Sequence, residues 1–149
     1  IDQISLDVWN QVFGTIVTGS FLCTREAFKI MKEAGGGRII NIGSIAAQRP
    51  RMHSAPYTAA KHAIWGLTQS TALDGREFGI TASCLHPGNV LVERRRDGRT
   101  ATGRDVGPDP MISTSCVART ALLMATLPAE ANMLEAIVLP VAQDYIGRG

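Results

Sequence analysis

Three short apolar runs, set between stretches of helical pattern, constrain this chain most. The clearest is Arg38 to Ile42, where Ile39, Ile40 and Ile42 crowd together as in a strand buried on both faces. Ile80 to Leu85 and Leu134 to Leu139 supply two more strands. The order is helix, strand, helix, strand, helix, strand, which implies an α/β fold with a parallel sheet joined by right-handed crossovers.

The helices are marked at both ends. Ser5 is placed to cap the first, with Asp7 in its first turn. Val8, Val12, Phe13, Ile16 and Val17 then recur at helical spacing, and Phe21, Ala27, Phe28 and Met31 extend the pattern into one long or kinked helix. Gly35-Gly36-Gly37 ends it. Ile45 to Pro56 reads as a loop, followed by a helix from about Ala55 to Leu73 whose Ala59, Ala60 and Ala63 admit a close neighbour. A polar loop runs from His86 to Pro110. Ser113 or Thr114 caps a last helix through about Leu127, which Pro128 stops. At 149 residues and 45% hydrophobic, the chain suffices for one domain, residues 1–149.

Composition excludes several classes. A net charge of +2 implies no nucleic-acid partner. No apolar run reaches the ~18 residues of a membrane span, and no signal peptide opens the chain, so a cytoplasmic setting is expected. Ile1 in place of methionine is expected of a cropped or processed product. Cys23, Cys84 and Cys116 lack metal-ligand spacing and read as buried, reduced thiols. His, Cys and carboxylates form no cluster at zinc spacing, so no metal site is expected.

The chemistry gathers between Asn41 and Lys61. Tyr57 and Lys61 are four apart, one turn along the same helix face. Ser44 lies 13 residues before Tyr57, at the end of the first strand. A phenol with its ordinary pKa near ~10 is a poor base at neutral pH, and an adjacent ammonium favours its ionised form. A serine hydroxyl can donate to an oxygen that gains negative charge. Such a trio suits proton transfer at an alcohol or ketone oxygen, with the hydride left to a cofactor.

Ser44, Tyr57-x-x-x-Lys61, the preceding GGGRIINIGS and the His86-Pro87-Gly88 after the next strand resemble the short-chain dehydrogenase/reductase family. The resemblance runs over essentially all of the chain and matches the C-terminal part of that family's doubly wound Rossmann-like sheet. It implies an oxidoreductase that moves hydride between NAD or NADP and a secondary alcohol or ketone. Tyr57 would transfer the proton, Lys61 would tune it and contact the nicotinamide ribose, and Ser44 would position the substrate oxygen. Pro87, Gly88 and the backbone near Val90 would meet the nicotinamide side. The glycine-rich turn that holds a dinucleotide's pyrophosphate after the first strand is absent. By resemblance it belongs upstream of Ile1. The Arg38–Ile42 strand is then expected at a sheet edge.

The chain departs from the family pattern in two places. In N-x-x-G-x-F, Gly19 and Phe21 fit but Ile16 replaces the asparagine, which in the family helps hold a proton-relaying water. Ile16 is either a kink filled by an apolar side chain or a weakened relay. Val92 stands where members often have threonine. These departures and the missing cofactor half leave an alternative open: an impaired or non-enzymatic protein of the same fold.

Other residues are less informative. Arg94-Arg95-Arg96 reads as a solvated loop run before it reads as an anion grip. His53 reads as a surface residue, His62 points away from the Lys61 face, and His86 reads as structural. The Gly147-Arg148-Gly149 end resembles a family subgroup and suggests packing on a neighbouring subunit. Expected partners are a small alcohol or carbonyl substrate and further copies of the chain, as a homodimer or homotetramer paired through the long helix and the Tyr57 helix.

Overall fold

The computed structural model of the chain describes residues 1–92 and 110–146. Its centre is a parallel sheet of three strands, β1 (Gly37–Ile42), β2 (Ile80–Pro87) and β5 (Glu135–Val138), in the order β1-β2-β5. β1 pairs with β2 from Gly37 opposite Ile80 to Ile42 opposite Leu85. β2 pairs with β5 from Cys84 opposite Glu135 to Pro87 opposite Val138. Among the described residues β1 is an edge strand, as its position in the sequence predicts.

The helices follow the sequence closely. Ser5 Oγ accepts the Val8 N–H at 3.2 Å and starts α1 (Leu6–Phe13). The expected kink is a single π-helical turn, Gly14–Thr18, which contains Ile16 and leads into α2 (Gly19–Glu33). Gly35 and Gly36 adopt φ of 80° and 145°, and Gly36 N–H donates to the Met31 carbonyl at 2.9 Å. A Cβ on Gly36 would lie 2.9 Å from the Gly79 carbonyl oxygen, so the two turns leading into β1 and β2 touch through bare backbone.

α3 (Ala55–Gly75) crosses from β1 to β2 and buries Ala60, Ile64, Thr68 and Thr71, one face at helical spacing. α4 (Thr114–Thr126) precedes β5. On the α2 side, Ile39, Ile80 and Ala82 form a core with Phe28, Met31 and Phe78 packed against it. Phe28 meets Phe78 edge to face at 6.1 Å, a contact that contributes ~1 kcal/mol beyond its buried area.

Some expectations need correction. His86 and Pro87 belong to β2 rather than to the following loop, because they continue the parallel ladder with β5. Val90–Leu91 (β3), in the stretch expected to be loop, pairs in parallel with Ile112–Ser113 (β4), just beyond it. Ser113 precedes α4 but makes no side-chain cap bond. Cys23 and Cys116 are exposed, because each lies on the solvent side of its helix; only Cys84 is buried. In the segment after β5, Gln143 and Tyr145 bond to residues of the same chain, as described below. The Arg94–Arg96 run and Gly147-Arg148-Gly149 lie outside the described residues.

Candidate functional site

Ile42, Pro87 and Val138 end three parallel strands at the same side of the sheet. This is the side where ligands bind in open α/β sheets. Ser44, Lys61, Pro87, Gly88 and Val90 sit at or beside these ends, and Tyr57 is one helical turn before Lys61.

Ser44 leaves β1 through Gly43, whose N–H donates to the Leu85 carbonyl at 2.8 Å. Ser44 is buried, and its Oγ accepts the Ala46 N–H at 3.1 Å, capping the short turn Ile45–Ala47. The hydroxyl proton remains available to a further acceptor.

Lys61 follows the buried Ala60 on α3. Its Nζ donates to the Ile42 carbonyl oxygen at 2.8 Å, two residues before Ser44. Burial pushes the Lys61 pKa below the ordinary lysine value, and the neighbouring Cys84 sulfur opposes that shift. The Lys61 ammonium lies 5.7 Å from the centroid of the Tyr57 ring. The Tyr57 side chain is exposed, open to an incoming ligand. Burial also raises the Cys84 thiol to about 11, so it stays protonated at neutral pH.

His86 supports this arrangement from below. Its ring is fully buried and meets Trp65 edge-on at 5.7 Å. Nδ1 lies 2.9 Å from the Ser44 carbonyl oxygen and 3.3 Å from the Ser44 nitrogen. A protonated Nδ1 donates to the first; an unprotonated one accepts from the second. Nε2 faces Glu135 Oε1 at 3.4 Å, an ion-pair distance rather than a hydrogen bond. Gln48 Nε2 donates to the same carboxylate oxygen, and Tyr145 O–H donates to Gln48 Oε1. His86 thus holds the Ser44 backbone, while Gln48 joins Glu135 of β5 to Tyr145 of the segment after it.

The turn after β2 is held as firmly. Gly88 N–H donates to the Val138 carbonyl at 2.8 Å, and Asn89 N–H to Gln143 Oε1 at 2.9 Å. Arg51 donates to Asn89 Oδ1 at 2.9 Å. Val90, half-buried, opens β3, and its carbonyl accepts the Val92 N–H at 3.0 Å. Glu135, Gln48, Asn89 and Tyr145 were not legible as site neighbours. The available signal was His86 itself, an imidazole in a strand with apolar residues on either side of it, which demands buried partners.

His53 and His62 are both exposed, and His53 takes φ 59°. Among the described residues, no three His, Cys, Asp or Glu side chains are placed to share a metal ion, and no helix is long and apolar enough to cross a membrane. Clefts among the described residues include these two. One of about 270 Å³ lies against Ile1, Ile4 and Trp9. The other, of about 160 Å³, lies between the Ile45–Arg51 loop and Gln143–Tyr145. Ser44, Tyr57 and Lys61 line neither, though Ile45, next to Ser44, lines the second.

Known proteins resemble this chain in sequence and fold. A short-chain type dehydrogenase/reductase of Picea abies is 37% identical over 105 residues, covering 70% of this chain and 39% of its own length. The crystal structure of acetoin dehydrogenase from Enterobacter cloacae superposes with a TM-score of 0.80 at 27% identity, over 93% of this chain and 57% of that one. A gluconate 5-dehydrogenase from Burkholderia cenocepacia, in complex with NADP and tartrate, gives 0.78 at 27% identity, over 92% and 56%. The chain spans only part of the length of the relatives it matches, 39% of the Picea abies protein and 57% of the acetoin dehydrogenase chain. The short chain dehydrogenase family model matches residues 1–102, more than half of the chain, and on that match the chain belongs to the short-chain dehydrogenase family.

Proposed function

We propose that this chain carries the acid–base half of an NAD- or NADP-dependent oxidoreductase acting on a secondary alcohol or its ketone. The observation that carries the reading is Lys61. It shares a helix face with Tyr57 and is tethered to the end of β1, two residues before Ser44. The half-buried Lys61 ammonium lies 5.7 Å from the centre of the Tyr57 ring. Tyr57 takes or returns the proton of the substrate oxygen, and Ser44 donates to that oxygen and orients it.

The donor set fits a nicotinamide nucleotide. The Lys61 ammonium has donors beyond the one given to Ile42, suited to ribose hydroxyls, and the backbone near Val90 suits a carboxamide. The bound nucleotide would supply or accept the hydride. NADP in the related gluconate 5-dehydrogenase supports this class of cofactor. The exposed Phe21 and Leu22 of α2 support pairing of copies through that helix, as a dimer or tetramer. Three thiols without a disulfide among the described residues support a reducing, cytoplasmic setting.

Tyr57→Phe in the complete protein tests the mechanism. Turnover should fall by about 10²-fold or more with folding intact. An active, folded variant ends this mechanism. A second reading, a fold retained without turnover, is favoured by Ile16 and Val92 and by clefts that Tyr57 and Lys61 do not line. Cofactor titration separates the two: the complete protein binds NAD or NADP under the first and neither under the second.

A further inference from the structure

We propose that the cleft between the Ile45–Arg51 loop and the Gln143–Tyr145 segment is an anion subsite that selects substrates bearing a carboxylate. The idea rests on the oxidoreductase reading above and names its substrate class, a hydroxy acid or the corresponding oxo acid. The cleft holds about 160 Å³ and begins at Ile45, the residue after Ser44.

The walls have complementary chemistry. Arg49 and Arg51 line the cleft, and among the described residues neither makes an ion pair. Both guanidiniums are aimed by neutral groups. Arg51 donates to Asn89 Oδ1 at 2.9 Å; Arg49 donates to the Gln48 carbonyl at 3.2 Å and lies 5.9 Å from the centre of the Tyr145 ring. Each keeps further N–H donors in the fork geometry that matches a carboxylate. Asp144 shares the cleft and limits the charge it accepts, so one carboxylate is favoured over a phosphate dianion. Ile45 and Pro50 give an apolar wall for a short carbon chain. The same loop holds Gln48, which joins Tyr145 and Glu135 and so fixes the cleft relative to Ser44.

Two measurements on the complete protein test the subsite. The first compares kcat/KM for a hydroxy acid and its methyl ester, in wild type, Arg49→Gln and Arg51→Gln. Wild type should prefer the acid by about tenfold or more, and each substitution should lower that ratio several-fold, as expected when charge-assisted bonds are lost. Equal use of acid and ester, or a ratio that both variants leave untouched, overturns the proposal. The second measurement needs no turnover. Succinate is titrated into cofactor-free protein at low salt while the arginine Nε–H resonances are followed. Succinate should shift the Arg49 and Arg51 signals; Arg51→Gln should weaken binding and Asp144→Asn should tighten it. No shift, or variants that do not move binding in these opposite directions, also overturns it. If Tyr57→Phe remains active, the oxidoreductase mechanism fails alone, and the succinate titration still decides the subsite.

Discussion

The Lys61 ammonium and the Ile42 carbonyl oxygen, 2.8 Å apart, fasten α3 to the C-terminal end of β1. The bond spans the boundary between two elements that each carry part of the candidate site. It also places a charge where solvent is restricted, which is why the ammonium gives up its proton more readily than an ordinary lysine.

Lys61→Met should therefore separate chemistry from stability. Turnover should fall by about 10²- to 10⁴-fold, the scale of acid–base assistance. Loss of the Ile42 bond and relief of burying a charge act in opposite directions, so the net stability change should stay within about 1 kcal/mol. The pH dependence has a definite sign. A lysine with a lowered folded pKa costs stability at neutral pH. That cost fades as pH rises from the lowered pKa toward 10.5, because the folded state sheds its proton first. Thermal melts of both proteins across that window should show wild type gaining on Lys61→Met as pH rises.

Gly43→Ala probes the support beneath Ser44. A Cβ at Gly43 would lie 2.6 Å from His86 Nδ1 and 2.8 Å from Cys84 Sγ. The His86 ring is fully buried and cannot swing away, so the ring and the Ser44 backbone must shift together. The substitution should cost about 1–3 kcal/mol in urea denaturation and lower kcat in parallel. A stability loss with kcat unchanged would mean that the His86 contact is packing alone.

Much of this was legible in the chain, and the reasons are physical. Ile39, Ile40 and Ile42 announced a strand through their apolar density, but the expected burial on both faces is not met: Ile39 is buried, Ile40 half-buried and Ile42 exposed on this edge strand. Ser5, the Gly35–Gly37 run and Pro128 marked helix ends through local rules that hold whatever packs nearby. The Tyr57–Lys61 pairing followed from helix geometry alone. What stayed hidden depends on contacts distant in sequence. Glu135 meets His86 only through the register of β2 with β5, and Arg51 meets Asn89 only after the loop folds back. Cys23 was misplaced because an apolar neighbourhood in sequence does not say which helix face a residue takes.

Arg38 illustrates a long-range bond that carries stability rather than chemistry. Its Nη2 donates to the Leu127 and Pro128 carbonyls, each at 2.6 Å, and its Nη1 to Ala131 at 3.0 Å. One guanidinium thus binds the turn between α4 and β5 to the edge strand. Arg38→Leu should cost about 2 kcal/mol, because hydrogen bonds to a charged donor run near 1.5–3 kcal/mol and the group is part exposed. Arg38→Lys should recover less than half of that, since an ammonium cannot span three carbonyls as a planar fork does. Urea midpoints for the two variants check both expectations.

Ile16 gives the last test, because the structure alters how its departure from the family pattern is read. It sits half-buried in the π-helical turn Gly14–Thr18, where the Gly19 N–H reaches back to the Gly14 carbonyl. The widening of the helix is therefore a backbone feature that persists without an asparagine side chain. Ile16→Asn buries an amide in place of a butyl group, so it should lower stability by about 1–3 kcal/mol unless the amide finds partners. If the backbone of the turn already serves proton transfer, kcat should change by less than about tenfold, well short of a full acid–base contribution. A rise of about 10²-fold or more in Ile16→Asn would instead mean that a side-chain relay had been missing, and that the wild-type chain works below what its Tyr57 and Lys61 allow.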